Sequence, residues 1–69
     1  MIGERIKRRR TELGISTAEL AGRLYLSASA VRQWQHGDTI PRVDVIPALC
    51  TALECTPNYL FEFCEAVNG

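Results

Sequence analysis

Between Gly14 and Gly37 the sequence opens and closes two helices in quick succession. Ser16-Thr17-Ala18-Glu19 has the form of a capping box, with Ser16 as N-cap and Glu19 at the third helical position, a pattern that answers the first unpaired amides of a helix. The helix it opens is expected over 17–24, burying Leu20, Ala21 and Leu24. Only Tyr25 and Leu26 then remain before Ser27, the next N-cap. The following helix, about 28–36, closes at Gly37, a residue suited to the left-handed conformation just past a helix end.

Two helices of eight or nine residues on so short a turn match a helix-turn-helix unit, here about 16–37. Its flanks are helical too. Ile2, Ile6 and Leu13 fall on one stripe of a first helix that Gly14 ends. Arg9 lies on that stripe, so its stem is expected to cover the core edge and its head to reach water. Asp44 is the expected cap of a fourth helix, with Pro47 tolerated in its first turn and Ile46, Leu49, Cys50 and Leu53 facing inward. Thr56-Pro57 opens a fifth, with Leu60, Phe63, Cys64 and Val67 on one stripe. Tyr59 and Phe61 lie off it and fit either a subunit contact, in a dimerisation region of about 54–69, or partly buried residues of a small domain. No strand-like alternation, repeat or linker interrupts the series. The expectation is an all-α, compact five-helix bundle, a single domain over 1–69.

A chain of 69 residues buries only about 60% of its unfolded surface, which leaves little room for a deep substrate cleft. An enzyme is therefore not expected, nor a small-molecule substrate or cofactor. At 46% apolar and 23% charged the chain is not of disordered composition. It has no apolar run long enough for a bilayer and no signal-like N-terminus, so a soluble cytoplasmic protein is expected. Three cysteines (Cys50, Cys55, Cys64) and one histidine (His36) fit no metal-ligand spacing, and structural thiols are the expectation. The zero net charge hides a division: residues 1–42 carry all eight bases against four acids, leaving +4, and residues 43–69 carry four acids and no base. Either one half faces a polyanion or the solvated surface is simply uneven.

Wound at about 100° per residue, the third helix has two faces. One carries the anchors Val31 and Trp34, with Ala30 and Gln35; the other carries Ala28, Ser29, Arg32, Gln33 and His36. The second face is small and hydrogen-bonding, which suits approach to base edges in the major groove. Arg bonds two guanine acceptors, Gln bonds the adenine donor–acceptor pair, Ser pairs with several bases and Ala touches a thymine methyl. A short polar helix can imitate such a face, so the pattern gains weight only from its surroundings.

Those surroundings resemble the lambda repressor–Cro (XRE-type) helix-turn-helix family. The resemblance spans residues 2–63 and rests on Gly3-Glu4-Arg5-Ile6 with Arg10, Gly14-Ile15-Ser16, Glu19-Leu20-Ala21 and Leu24 to Leu26. It continues through Ser27, Val31, Trp34, Gly37, Ile40-Pro41, Leu49, Ala52-Leu53 and Thr56-Pro57 with Leu60. It implies a five-helix DNA-binding domain acting as a two-fold dimer on a palindromic operator. It also implies that Ala28, Ser29, Arg32 and Gln33 read bases, while Arg10, Thr17, His36 and Arg42 hold phosphates. The sequence departs from the family in two places that bear on geometry. Tyr25 stands where a glycine, often at positive φ, is usual, so an altered turn is expected. Gln35 stands where a glutamate often pairs with the arginine matching Arg10, so that pair should become a charge-to-neutral hydrogen bond.

The resulting expectation is a homodimeric, sequence-specific transcriptional regulator of phage or bacterial origin, of the minimal Cro-like kind without a sensor domain. It would bind double-stranded DNA and no membrane. The competing expectation is a protein-interaction module, an antitoxin or antirepressor, using the acidic C-terminal part.

Overall fold

The computed structural model describes residues 2–61. Within them the chain forms five α-helices: α1 (Ile2–Leu13), α2 (Thr17–Arg23), α3 (Ala28–His36), α4 (Ile46–Leu53) and α5 (Pro57–Phe61), with a 3-10 turn at Val43–Val45 before α4. Phe63, Cys64 and Val67, the expected continuation of the fifth helix's stripe, lie outside the described residues.

The helix starts follow the capping residues. The Ser16 hydroxyl accepts the Glu19 amide at 3.0 Å and the Ser27 hydroxyl accepts the Ala30 amide at 3.2 Å. Thr56 does the same for the Tyr59 amide at 3.2 Å. The Glu19 carboxylate pairs with Arg23 one turn later, at 3.8 Å. Asp44 does not cap α4. It lies in the 3-10 turn, 3.4 Å from the Arg42 guanidinium, and Val45 occupies the capping position without a side-chain bond. The cap rule selects an acceptor just before an apolar run, and here a tight turn takes that acceptor first.

Helices α1 to α4 all end alike. A residue in the left-handed conformation follows each: Gly14 (φ 74°), Tyr25 (φ 59°), Gly37 (φ 87°) and Glu54 (φ 54°). The amide one residue further on then reaches back five positions: Ile15 to Arg10 O, Leu26 to Ala21 O, Asp38 to Gln33 O and Cys55 to Cys50 O, at 2.9–3.2 Å. These are Schellman endings, which satisfy the last carbonyls of each helix. The altered turn expected at Tyr25 is not found. Tyr25 adopts the left-handed conformation itself, its side chain 95% exposed and so free of steric cost beyond its own backbone.

The core comprises Ile6, Ile15, Leu20, Ala21, Val31, Trp34, Leu49, Cys50, Leu53 and Leu60, drawn from every α-helix, with Ile2, Leu13, Leu24 and Ile46 packed around it. α1 crosses α3 so closely at Gly3 that a methyl group there would collide with the Trp34 carbonyl and sit 3.1 Å from Gln35 Cα.

Candidate nucleic-acid interface

The two faces of α3 are separated by burial. Val31 and Trp34 are buried, while Ser29, Arg32, Gln33 and His36 are exposed on the opposite side. Ala28 sits at the seam, half-buried and packed against the core. Ser27 caps the first turn, so Ala28 and Ser29 project from fixed backbone. The Asp38-to-Gln33 bond fixes the other end.

Beside this face opens a cleft of about 250 Å³ lined by Lys7, Arg10, Thr17, Arg32, Gln35 and His36. Among the described residues no carboxylate lines it. Its rear wall is a chain of hydrogen bonds across three helices. Arg10 donates from Nε to Gln35 Oε1 at 3.2 Å and from Nη1 to the Ile15 carbonyl at 2.9 Å. Gln35 donates from Nε2 to Thr17 Oγ1 at 3.3 Å and to the Val31 carbonyl at 3.5 Å. The Arg10–Gln35 pair is thus the charge-to-neutral bond expected from the sequence. Because its partner is neutral, that pair sets no carboxylate against the Arg10 charge at the cleft wall. Thr17 accepts from Gln35, which leaves its hydroxyl hydrogen able to donate to an anion.

Of the four residues expected to hold phosphates, the cleft brings together Arg10, Thr17 and His36. Arg42 stands apart, exposed after the Ile40-Pro41 segment and paired with Asp44. Among the base-reading candidates, Arg32 belongs to both the exposed face and the cleft. The sequence reading missed Lys7. Its signal was present, because Lys7 and Arg10 stand three residues apart on α1 and share a face.

Other bases turn the opposite way. Arg9, expected to cover the core edge with its head in water, is partly exposed and also donates to the Leu53 carbonyl at 2.8 Å and the Glu54 carbonyl at 3.0 Å, and pairs with Glu12 at 3.2 Å. Arg23 donates to the Ala52 carbonyl at 3.2 Å, and Arg5 to the Tyr59 carbonyl at 2.8 Å. Arg9 and Arg23 grip carbonyls at the end of α4, where the helix dipole favours positive charge, and Arg5 grips one in α5. The Arg5 guanidinium also lies 4.0 Å over the Tyr59 ring. Tyr59 is accordingly half-buried, its phenolic oxygen enclosed without a hydrogen-bond partner among the described residues, while Phe61 is 42% exposed.

Among the described residues no cluster of three or more His, Cys, Asp or Glu could hold a metal ion, and no helix is long and apolar enough to cross a membrane.

This arrangement has close counterparts. The helix-turn-helix domain family profile matches residues 2–60. Repressor protein C2 of Salmonella phage P22 is 39% identical over 62 residues, covering 90% of this chain and 29% of that protein. The HTH-type transcriptional regulator DicA of Escherichia coli (strain K12) is 39% identical over 59 residues, covering 86% of this chain and 44% of that protein. The chain therefore spans less than half the length of either relative. The crystal structure of the P22 c2 repressor in complex with a synthetic operator superposes with a TM-score of 0.82 at 40% identity, covering 87% of this chain and 91% of the other. The solution structure of the P22 c2 DNA-binding domain gives 0.84 at 39% identity, with 88% and 80% covered. The helical order and the sequence are thus shared with these proteins over nearly the whole chain, and the chain belongs to the helix-turn-helix domain family, of the lambda repressor–Cro kind.

Proposed function

We propose that this protein is a sequence-specific DNA-binding transcriptional regulator that lays α3 in the major groove and acts as a homodimer on a palindromic operator. The observation that carries the reading is the continuity of the exposed Ser29–Arg32–Gln33–His36 face with a cleft lined by bases and, among the described residues, no acid. Direct readout needs short hydrogen-bonding side chains on a rigid rod, and orientation on the duplex needs cations beside it. Ala28, Ser29, Arg32 and Gln33 read base edges. Lys7, Arg10, Thr17 and His36 hold one backbone segment, and Arg42, released from Asp44, meets a second. The names of the P22 and E. coli relatives, a repressor and a transcriptional regulator, support the same role. The role is binding rather than catalysis, and its place is the cytoplasm of a bacterial cell, on DNA. Dimerisation falls to the 54–69 region, with Phe61 offering more apolar surface than Tyr59.

Selection of bound duplexes from a random pool tests this reading. The expected product is a palindrome with half-site centres about 34–36 Å apart. Gln33→Ala should relax preference at one position of each half-site, and Arg42→Ala should weaken all sequences alike and flatten the salt dependence. Recovery of no consensus, or the parent's ranking from both variants, would overturn the assignment.

A further inference from the structure

A Schellman ending brings together the side chains at the two ends of its longer hydrogen bond, ordinarily as a small apolar contact. In α4 those positions are Cys50 and Cys55, joined through the Cys55 amide and the Cys50 carbonyl at 3.0 Å. Both are free thiols, and the backbone bond between their residues sets the two side chains beside each other. Cys50 is buried and Cys55 half-buried, so the outer thiol is reachable from solvent while the inner one is reachable chiefly from its neighbour. The turn around Glu54 is held by Arg9 on the Leu53 and Glu54 carbonyls, which keeps the pair in register.

We propose that Cys50 and Cys55 form a modification site, a dithiol that closes to an intramolecular disulfide on reaction with a low-molecular-weight disulfide. The Cys55 thiolate attacks one sulfur of the reagent, forming a mixed disulfide and expelling one small thiolate. The Cys50 thiolate, held beside it by the Schellman turn, attacks Cys55 Sγ; the Cys50–Cys55 bond forms and the second small thiolate leaves. The two cysteine protons end on the two small thiols, the protein is oxidised by two electrons and the reagent is reduced by two. Burial and the adjacent Cys50 sulfur push the Cys55 thiol up to about 11 despite Arg9 nearby, and burial raises Cys50 as well. Thiolate is therefore scarce at neutral pH, and closure accelerates about tenfold per pH unit below that value. The bond ties the last turn of α4 to the segment entering α5 and leaves the α3 face untouched.

The test treats the full chain with oxidised glutathione, beside a Cys64→Ser variant that removes the third thiol. A glutamate-specific protease cuts at Glu54, between the paired cysteines, and at Glu62, before Cys64. The expected product has lost two hydrogens and retains one of its three alkylatable thiols. Its peptides containing Cys50 and Cys55 stay joined until reduced, and Cys64→Ser gives the same link. With Cys50→Ala in the Cys64→Ser background, glutathione should instead remain on Cys55 as a persistent mixed disulfide. A link to Cys64 in the parent, or mixed disulfide accumulating in Cys64→Ser, would overturn the proposal. A closure rate independent of pH between pH 7 and 9 would overturn the slow-thiolate account.

Discussion

Gln35 decides how much positive charge the cleft can offer. Its amide oxygen accepts from Arg10 and its amide nitrogen donates to Thr17, so a neutral group bridges α1, α2 and α3. In Gln35→Glu the Arg10 bond, already charge-assisted by the guanidinium, becomes an ion pair, and Thr17 can reverse and donate to the carboxylate. A partly exposed ion pair adds about 0–1 kcal/mol over the bond to a neutral acceptor, and this half-buried site should gain about half of that or more. The same substitution places the first carboxylate in a cleft lined by bases. The expected outcome is a higher urea midpoint together with several-fold weaker binding to random-sequence DNA at low salt, the binding difference shrinking as salt is added. A more stable variant with unchanged DNA affinity would show that no phosphate enters the cleft.

The helices themselves meet two local demands, at their ends and where they cross. Tyr25 holds a left-handed backbone that costs a non-glycine residue about 1–2 kcal/mol. Tyr25→Gly removes that strain but frees the unfolded chain, leaving an expected net gain of about 0.5–1 kcal/mol in thermal unfolding with operator ranking unchanged. Gly3→Ala works in the other direction. Alanine favours the helix by about 1 kcal/mol, yet its methyl group meets the backbone of Trp34 and Gln35, which cannot turn aside. A net loss of about 2 kcal/mol in urea denaturation is expected, with α3 displaced. These two positions also mark where the sequence stops being readable. Ser16, Ser27, Thr56, Gly14 and Gly37 announce helix ends because their chemistry is local, and the structure uses each of them for that purpose. Tyr25 and Glu54 end helices without the glycine signal, since tertiary packing overrides the backbone preference. Gly3 carries no sign of its role until α3 is laid against it. The α3 face was legible from period and residue type, whereas the cleft, which needs α1 beside α3, yielded Arg10, Thr17 and His36 only through family resemblance and did not yield Lys7.

Across the whole molecule, the +4 of residues 1–42 overstates what a polyanion can meet. Arg5, Arg9 and Arg23 spend their guanidinium groups on carbonyls of α4 and α5, Arg8 lies 3.8 Å from Glu12, and Arg42 pairs with Asp44. The division of charge along the sequence is thus partly a device for joining the two halves of the bundle, the basic α1 and α2 holding the carbonyl-rich end of α4. If the cleft meets DNA as proposed, what remains for it is Lys7, Arg10 and Arg32, with Arg42 when it leaves its acid. Counterion release scales with the phosphates neutralised, at about 0.9 per contact, so the slope of log affinity against log salt should be about −3 to −4 per chain. A count of all eight bases would instead give about −7. Titrating a fixed duplex at several potassium chloride concentrations distinguishes the two. The Arg9→Met variant sharpens the comparison: it should lower stability and leave the slope unchanged, whereas Lys7→Met should reduce the slope by about one with little effect on stability. A slope near the larger value, or one that falls in Arg9→Met, would mean that the inward arginines turn outward on DNA and that the bundle is held together by packing alone.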